Sequence, residues 1–200
     1  MAHKTGKLLY HLTALENLES IIQYGLLSRN DVQKLSFVDI ADHEIIDKRE
    51  SKLNLNSFVP FHFYMGTAFD GRVFINSREI GANRKFIYLC VWRSNARQNG
   101  WKIITTHPLD ESDIDIFDYD DGFEKIEWNV IDNPDRNYSD NHIREVCMAE
   151  CVSPSTVSIN SIAFIKVPDD ETKNMVESIL RRYNINIEVD VTHFSRAYYG

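Results

Sequence analysis

The sequence predicts a single α+β domain over residues 1–200, and three observations support that class. The 200 residues are 43% hydrophobic and 26% charged, proportions typical of a globular chain that can bury a core without disulfides or metals. Apolar residues recur at helical spacing near both ends of the chain. Continuous or alternating apolar runs, typical of β-strands, lie between and after these helices.

The N-terminal part predicts a short strand and two helices. A strand at residues 8–11 leads into a helix that should begin at Thr13, since Thr13 and Glu16 have the spacing of a capping box. Gly25 is expected to end this helix. A second helix is predicted over residues 38–52, where Ile40, Ile45 and Ile46 share one side.

The remaining strands are predicted from apolar runs. They cover residues 58–64, 86–92, 101–106, 145–152, 161–167 and 185–191. Pro60 predicts an edge or entry position for its strand, because proline cannot donate a ladder hydrogen bond. A helix capped at Asp169-Asp170 should present Val176, Ile179 and Leu180 inward. Between residues 107 and 142 the periodicity fades, and a long irregular segment of this kind is typical of a functional loop.

Composition also indicates where the protein acts. No signal peptide and no apolar run of the ~20 residues needed for a membrane span are apparent. Three cysteines without a CxxC pattern are typical of a reducing compartment. We therefore expect a cytoplasmic protein without membrane contact.

Common cofactor and metal motifs are absent from the sequence. It contains no GxGxxG, GxxxxGK[ST], GxSxG or HExxH, and no cysteine pair with zinc-finger spacing. The acidic run around Gly122 fails as an EF-hand, because Phe117 and Trp128 would occupy the first and last ligand positions. No metal site is expected.

Three short segments are better candidates for a functional site. His11 and Thr13 lie where a strand meets a helix start, a place where backbone N–H groups can hold phosphate or ribose. Arg49 lies in the second predicted helix. By alternation Glu150 falls on the apolar side of its strand, where a carboxylate is costly unless it is paired or functional.

Together these segments resemble a known family. Residues 10–13 through 25–27, 48–49, 58–63 and 148–150 occur in the order and at the spacings of the DarT family of DNA ADP-ribosyltransferases, the toxins of toxin–antitoxin pairs. The resemblance implies an ADP-ribosyltransferase-like fold with two packed β-sheets and NAD as co-substrate in the cleft between them. It implies transfer of ADP-ribose to single-stranded DNA, in a toxin–antitoxin or phage-defence system. A cognate antitoxin that removes ADP-ribose, resembling a macrodomain, is the implied partner.

The resemblance also implies roles for individual residues. Glu150 and Arg49 match the catalytic glutamate and arginine, and Arg49 would also contact NAD. The other implied NAD contacts are His11, Leu12, Thr13 and Ser20. Arg144 and His107, in or beside the substrate-recognition loop, are the implied contacts to the nucleic acid.

One departure from the family's pattern leaves open which base accepts the ADP-ribose. After Phe63, thymine-modifying members continue with a stretch resembling Pro-Arg-Ser-Pro, whereas this chain has Tyr64-Met65-Gly66-Thr67. Thymine and guanine are therefore both candidate bases. The net charge of -8 also argues against nucleic acid, although the negative excess lies in residues 106–200 and residues 1–105 are net positive. The alternatives are an ADP-ribosyltransferase that acts on RNA or protein, and a catalytically silent nucleotide-binding module.

Overall fold

A β-sheet flanked by helices forms the framework of the fold. The computed structural model describes residues 2–33, 35–40, 54–82, 84–107, 115–194 and 196–199. The described strands are β1 (Leu8–Ala14), β2 (Val59–His62), β3 (Phe86–Trp92), β4 (Lys102–Ile104), β5 (Ile116–Asp118), β6 (Glu150–Ser153), β7 (Phe164–Val167) and β8 (Glu188–Val191). The described α-helices are α1 (Leu18–Tyr24), α2 (Arg29–Val32), α3 (Ala68–Glu79), α4 (Arg93–Gln98), α5 (Tyr119–Lys125), α6 (Trp128–Ile131), α7 (Asn141–Val146), α8 (Asp170–Arg182) and α9 (Arg196–Tyr199). The predicted α+β class is confirmed.

The strands follow the order β5-β4-β6-β2-β1-β3-β7-β8. Neighbours are antiparallel except β7 and β8, which are parallel. Strands β1 and β3 pair along their whole length, from Leu8↔Trp92 to Ala14↔Phe86. In contrast, β1 and β2 pair at Tyr10↔His62 alone among the described residues. The two sheets expected from the resemblance thus occur as two four-stranded halves of one sheet, joined at a single point.

Buried side chains cover both faces of this sheet. The larger cluster includes Leu9, Phe61, Leu89, Cys151 and Ile165 and extends to Val176 and Leu180 of α8, which confirms the predicted inner face of that helix. A second cluster on the opposite face joins α3 to the sheet through Leu12, Phe74, Phe86, Tyr88 and Phe194. The sheet is therefore packed on both sides, and its strands hold fixed positions around the point where β1 and β2 meet.

Pro60 occupies an interior strand, so its predicted edge position is wrong. Its carbonyl oxygen accepts a hydrogen bond from the His11 ring on β1, which places that carbonyl on the β1 side of β2. Because the N and C=O of one strand residue point the same way, the missing N–H of Pro60 also faces β1. The ladder is not formed there, so the proline costs no hydrogen bond.

The first predicted helix is longer than the observed one, and its capping box is wrong. Thr13 lies in β1 and pairs with Ile87, so the ladder to β3 outweighs the local capping signal. Helix α1 begins at Leu18 and ends before Gly25, as predicted for the glycine. A capping box does occur at the start of α3, between Thr67 and Asp70.

The second predicted helix is wrong at its first three residues. Residues 38–40 have no helical structure, because the backbone of Val38 is bonded to the side chain of Asn17 instead. The rest of the predicted helix, including Arg49, lies outside the described residues.

The segment before Glu150 also differs from the prediction. Residues 141–146 form helix α7, capped by the Asp140 side chain, and strand β6 begins only at Glu150. Cys147 and Cys151 therefore do not share a strand. The predicted irregular segment also contains β5, α5 and α6, while residues 108–114 are outside the described part of the chain.

The described helices include none with both the length and the apolar composition that a membrane span requires.

Gly25 offers a test of how tightly α1 is anchored. Its backbone has a φ of +82° and a ψ of 171°, a combination essentially restricted to glycine, and a Cβ there would lie 2.6 Å from Cγ2 of Thr156 and 3.1 Å from the Val157 carbonyl oxygen. Gly25→Ala should lower the unfolding free energy by about 2–4 kcal/mol, since strain and overpacking add. Gly81→Ala is the matched control, because Gly81 has a φ of +68° and a Cβ there would meet no atom within 4 Å.

Thermal or denaturant unfolding of both variants checks this expectation. The control should lose about 1–2 kcal/mol from backbone strain alone. Equal losses in the two variants would show that the contact to residues 156–157 does not constrain the end of α1.

Candidate functional site

A pocket opens beside the point where β1 and β2 meet. Its cavity has a volume of about 210 Å³. Its walls come from β1, α1, the segment of residues 35–40, strand β2 and the start of β6. The polar residues that line it are His11, Thr13, Asn17, Ser20, Arg29, Asp39, Asn56, His62, His107 and Glu150.

His11 is held in one orientation. Its Nδ1 lies 2.8 Å from the Pro60 carbonyl oxygen. Because a carbonyl oxygen can only accept, Nδ1 carries the proton and Nε2 keeps the lone pair. Burial lowers the pKa of His11 from 6.5 to about 4, although the Pro60 bond opposes the shift. At neutral pH the ring is therefore uncharged, and its Nε2 can accept a hydrogen bond from a hydroxyl group.

Asn17 ties the opposite wall to β1. Its amide oxygen accepts from the Val38 N–H at 2.7 Å, and its amide nitrogen donates to the Val38 carbonyl at 2.9 Å. The same nitrogen donates to the Thr13 hydroxyl at 3.1 Å. This buried side chain thus orients Thr13 and fixes residues 35–40 beside the pocket. An ion pair between Arg29 and Asp39 adds a second tie to that segment.

Glu150 and His62 lie side by side at the base of the pocket. They are paired residues of β6 and β2, and paired residues of neighbouring strands have Cβ atoms about 5 Å apart on the same face. Glu150 is 4% exposed and His62 is 8% exposed. Glu150 is therefore buried, as predicted, although the strand whose alternation led to that prediction begins only at Glu150 itself. A carboxylate so far removed from water interacts strongly with any charge that develops beside it.

The structure brings together most of the residues predicted for the site. Those that line the pocket are His11, Leu12, Thr13, Ser20, His107 and Glu150. Arg144 does not line it; this residue is exposed on α7 and donates to Asn141 Oδ1. Arg49 lies outside the described residues. The roles predicted for these eight residues stay predictions.

Several pocket residues were missed at the level of sequence. Asn17 is buried and bonded to Val38, a partner 21 residues away that no local pattern reveals. His62 lies within the predicted strand at residues 58–64, and its strand neighbour Glu150 was the signal that could have identified it. Arg29 has the pattern of an ordinary helix residue in the sequence, although its partner Asp39 places it at the pocket wall.

Tyr119 and Trp128 of the long segment are buried, and Phe123 and Tyr138 are partly buried against the core. Trp128 is 5% exposed, and its indole N–H donates to the Phe123 carbonyl. The buried guanidinium of Arg93 lies 5.0 Å from the ring centre of Phe63 and 5.6 Å from that of Trp128. The rings of Phe63 and Trp128 therefore form core contacts. Among the described residues, no cluster of His, Cys, Asp or Glu could hold a metal ion.

Comparison with known proteins agrees with this geometry. Residues 10–199 match the family model described as "ssDNA thymidine ADP-ribosyltransferase, DarT". The chain belongs to the DarT family. A relative from Thermosipho africanus (strain H17ap60334), a fusion of a DNA ADP-ribosyl transferase and a DNA ADP-ribosyl glycohydrolase, is 25% identical over 196 residues. The match covers 93% of this chain and 49% of the fusion, so the chain spans about half of that relative.

Solved DarT structures share the fold. Thermus sp. 2.9 DarT in complex with ADP-ribosylated ssDNA superposes with a TM-score of 0.81 at 18% identity, covering 93% of this chain and 94% of that one. The complex of the same DarT with NAD+ gives 0.76 at 17% identity, with coverages of 94% and 96%. Thermosipho africanus DarTG in complex with ADP-ribose gives 0.71 at 19% identity, with coverages of 93% and 50%.

The pKa of His11 makes stability depend on pH. The unfolded chain takes up a proton at His11 near pH 6.5, whereas the folded protein does so only near pH 4. The unfolding free energy should therefore be highest above pH 6.5 and fall by up to about 3 kcal/mol as the pH drops to 4. His11→Gln keeps an N–H donor for Pro60 and cannot titrate, so its unfolding free energy should fall less over this range.

Chemical denaturation of both proteins between pH 4 and pH 7 tests this. Groups that do not interact with His11 titrate equally in the two proteins and cancel in the difference. Parallel pH dependences would mean that His11 is not held neutral by the fold.

Proposed function

We propose that this DarT-family chain transfers ADP-ribose from NAD to a thymine base of single-stranded DNA. The observation that carries the proposal is the placement of a buried carboxylate, Glu150, in one pocket with the neutral imidazole of His11 and the hydroxyl of Thr13. The family description and the ligands named for the Thermus and Thermosipho structures support the same donor and acceptor.

The hydrogen-bonding groups of the pocket indicate how NAD, the donor of ADP-ribose, would bind. NAD carries two riboses, whose hydroxyls can donate to the Nε2 of His11 and exchange hydrogen bonds with Thr13 and Ser20. The pocket wall at Leu12 and residues 37–40 is mostly apolar, which suits an aromatic ring. We assign the NAD contacts to His11, Leu12, Thr13 and Ser20.

Glu150 supplies the charge that the reaction needs. Cleavage of the bond between ribose and nicotinamide passes through an oxocarbenium-like state, in which the ribose becomes positive. A buried carboxylate that accepts from the ribose hydroxyl stabilises this state more than the ground state, because its hydrogen bond strengthens as charge appears. Arg49 is assigned as the second catalytic residue on the family resemblance, acting on the NAD phosphates or on the base.

The acceptor must reach the pocket unstacked, which favours single-stranded DNA over a duplex. His107 at the pocket rim and Arg144 on the surface of α7 are the assigned DNA contacts. An arginine there can neutralise a phosphate despite the overall negative charge.

We also propose that the chain acts as a toxin in the cytoplasm and has a partner protein that removes the ADP-ribose. Cys90, Cys147 and Cys151 are free and buried, as expected of a protein in a reducing compartment. The fusion of a transferase with a glycohydrolase in the Thermosipho relative supports an antitoxin that removes the modification. Coexpression with such a glycohydrolase should restore growth to cells that the chain alone arrests.

Replacing the carboxylate tests the catalytic assignment. Glu150→Gln keeps the shape of the side chain and removes its charge, so transfer to an oligonucleotide should fall by about 10²-fold or more. Glu145→Gln is the matched control, since Glu145 is a half-buried glutamate of α7 that does not line the pocket. Transfer at the normal rate by a folded Glu150→Gln protein contradicts the assignment.

Mass analysis identifies the acceptor. Short oligonucleotides that each lack one base, and an RNA of the same sequence, are incubated with NAD and the protein. A mass increase of one ADP-ribose should require thymine and single-stranded DNA. Modification of oligonucleotides without thymine, through guanine or in RNA, would overturn the choice of acceptor but not of donor.

A further inference from the structure

His62 and Asp70 together form a feature that the proposed reaction has not used. The Nδ1 atom of His62 is buried without a hydrogen-bond partner, and so is Oδ1 of Asp70, within the part of the chain that the structure describes. Asp70 is fully buried on the first turn of α3. Leaving such atoms unpartnered costs free energy, so their retention needs a reason outside folding.

The two side chains act on each other electrostatically. Burial raises the pKa of Asp70, and the nearby His62 is the strongest influence that opposes this shift. The other oxygen of Asp70 is held in place by the backbone N–H groups of Gly66 and Thr67, at 2.9 and 2.8 Å. The Asp70 side chain, fixed by these two bonds, thus interacts with an imidazole whose ring lines the pocket.

We propose that His62 accepts the proton that the acceptor base loses during transfer, and that Asp70 is the positioning residue that stabilises the resulting imidazolium. This inference rests on the proposed function. Since His62 is the strand neighbour of Glu150, its ring reaches the same part of the pocket in which the ribose carbon would lie.

Atoms and charge are conserved in this step. A nitrogen of the base forms a bond to C1′ of the ribose while the bond from C1′ to the nicotinamide nitrogen breaks. The electron pair of the broken bond returns to nicotinamide, which becomes neutral. The proton leaves the attacking nitrogen for His62, and the imidazolium later releases it to solvent.

Of the other two pocket histidines, His11 suits this task poorly. Its Nδ1 is committed to Pro60, and its pKa of about 4 makes it a weak base at neutral pH. His107 also lines the pocket and is the alternative acceptor of the proton.

The titratable groups that face His62 from the elements around it are Tyr10 and His11 on β1, Glu150 on β6, Asp70 on α3 and Tyr88 on β3.

The experiment compares His62→Gln with the unmodified protein across pH. The substrate is an oligonucleotide that the unmodified protein is first shown to ADP-ribosylate, so a failure of the proposed function is seen separately. At neutral pH the variant should transfer about 10²-fold more slowly, the contribution of a general base. Its rate should rise with pH, as the base loses its proton without help, and added imidazole should restore part of the rate to His62→Ala.

Binding and stability measurements keep the result interpretable. Calorimetry with NAD should give the same Kd for His62→Gln as for the unmodified protein. Asp70→Asn should shift the pH profile in the same direction, whereas Ser77→Ala, which removes a buried hydroxyl of α3 that accepts from the Arg84 N–H, should lower Tm and leave the profile unchanged.

Two outcomes overturn the proposal. One is a folded, NAD-binding His62→Gln protein with the normal rate and pH profile. The other is a pH-dependent loss in His107→Gln without one in His62→Gln, which would assign proton removal to His107.

Discussion

The hydrogen bond from His11 to the Pro60 carbonyl is the contact on which the site depends. It joins β1 to β2 beside the single pair Tyr10↔His62, at a place where the backbone ladder is not continued. The proline allows this gap in the ladder between β1 and β2, because it has no N–H that would be left without a hydrogen bond. Together with that pair, the bond joins the two halves of the sheet beside the pocket, and it fixes the tautomer of the imidazole that lines it.

Around this opening, buried polar groups are held by backbone atoms as well as by other side chains. Asn17 bonds both the N–H and the C=O of Val38, and Arg93 donates to the carbonyls of Leu8, Lys4 and Phe63. Through these bonds Asn17 fixes the segment of residues 35–40 beside the pocket, and Arg93 joins β1 to the residue that follows β2. In the proposed reaction, Glu150 is the carboxylate that stabilises the ribose as it becomes positive.

Sequence patterns predicted the parts of this fold that are governed by local or continuous apolar signals. The strand at residues 86–92, the end of α1 at Gly25 and the capped helix after Asp169 all follow such signals. The errors arise where a distant partner competes with a local preference. Thr13 pairs with Ile87 in a strand although its spacing to Glu16 favours a helix cap, and Pro60 is interior because β1 and β2 are not paired beside it.

The same distinction applies to the pocket. Glu150 was found because alternation placed a carboxylate among apolar residues, whereas Asn17 and His62 owe their positions to contacts 21 and 88 residues away along the chain. The family resemblance supplied roles that neither pattern could.

The most direct measurement of the central claim is a crystal structure of this chain with an NAD analogue that cannot be cleaved. We expect one ribose hydroxyl to lie within hydrogen-bond distance of the Glu150 carboxylate. A second hydroxyl should donate to the Nε2 of His11, with the His11–Pro60 bond intact. An analogue bound away from the opening between β1 and β2, or one whose riboses contact neither residue, would contradict the claim.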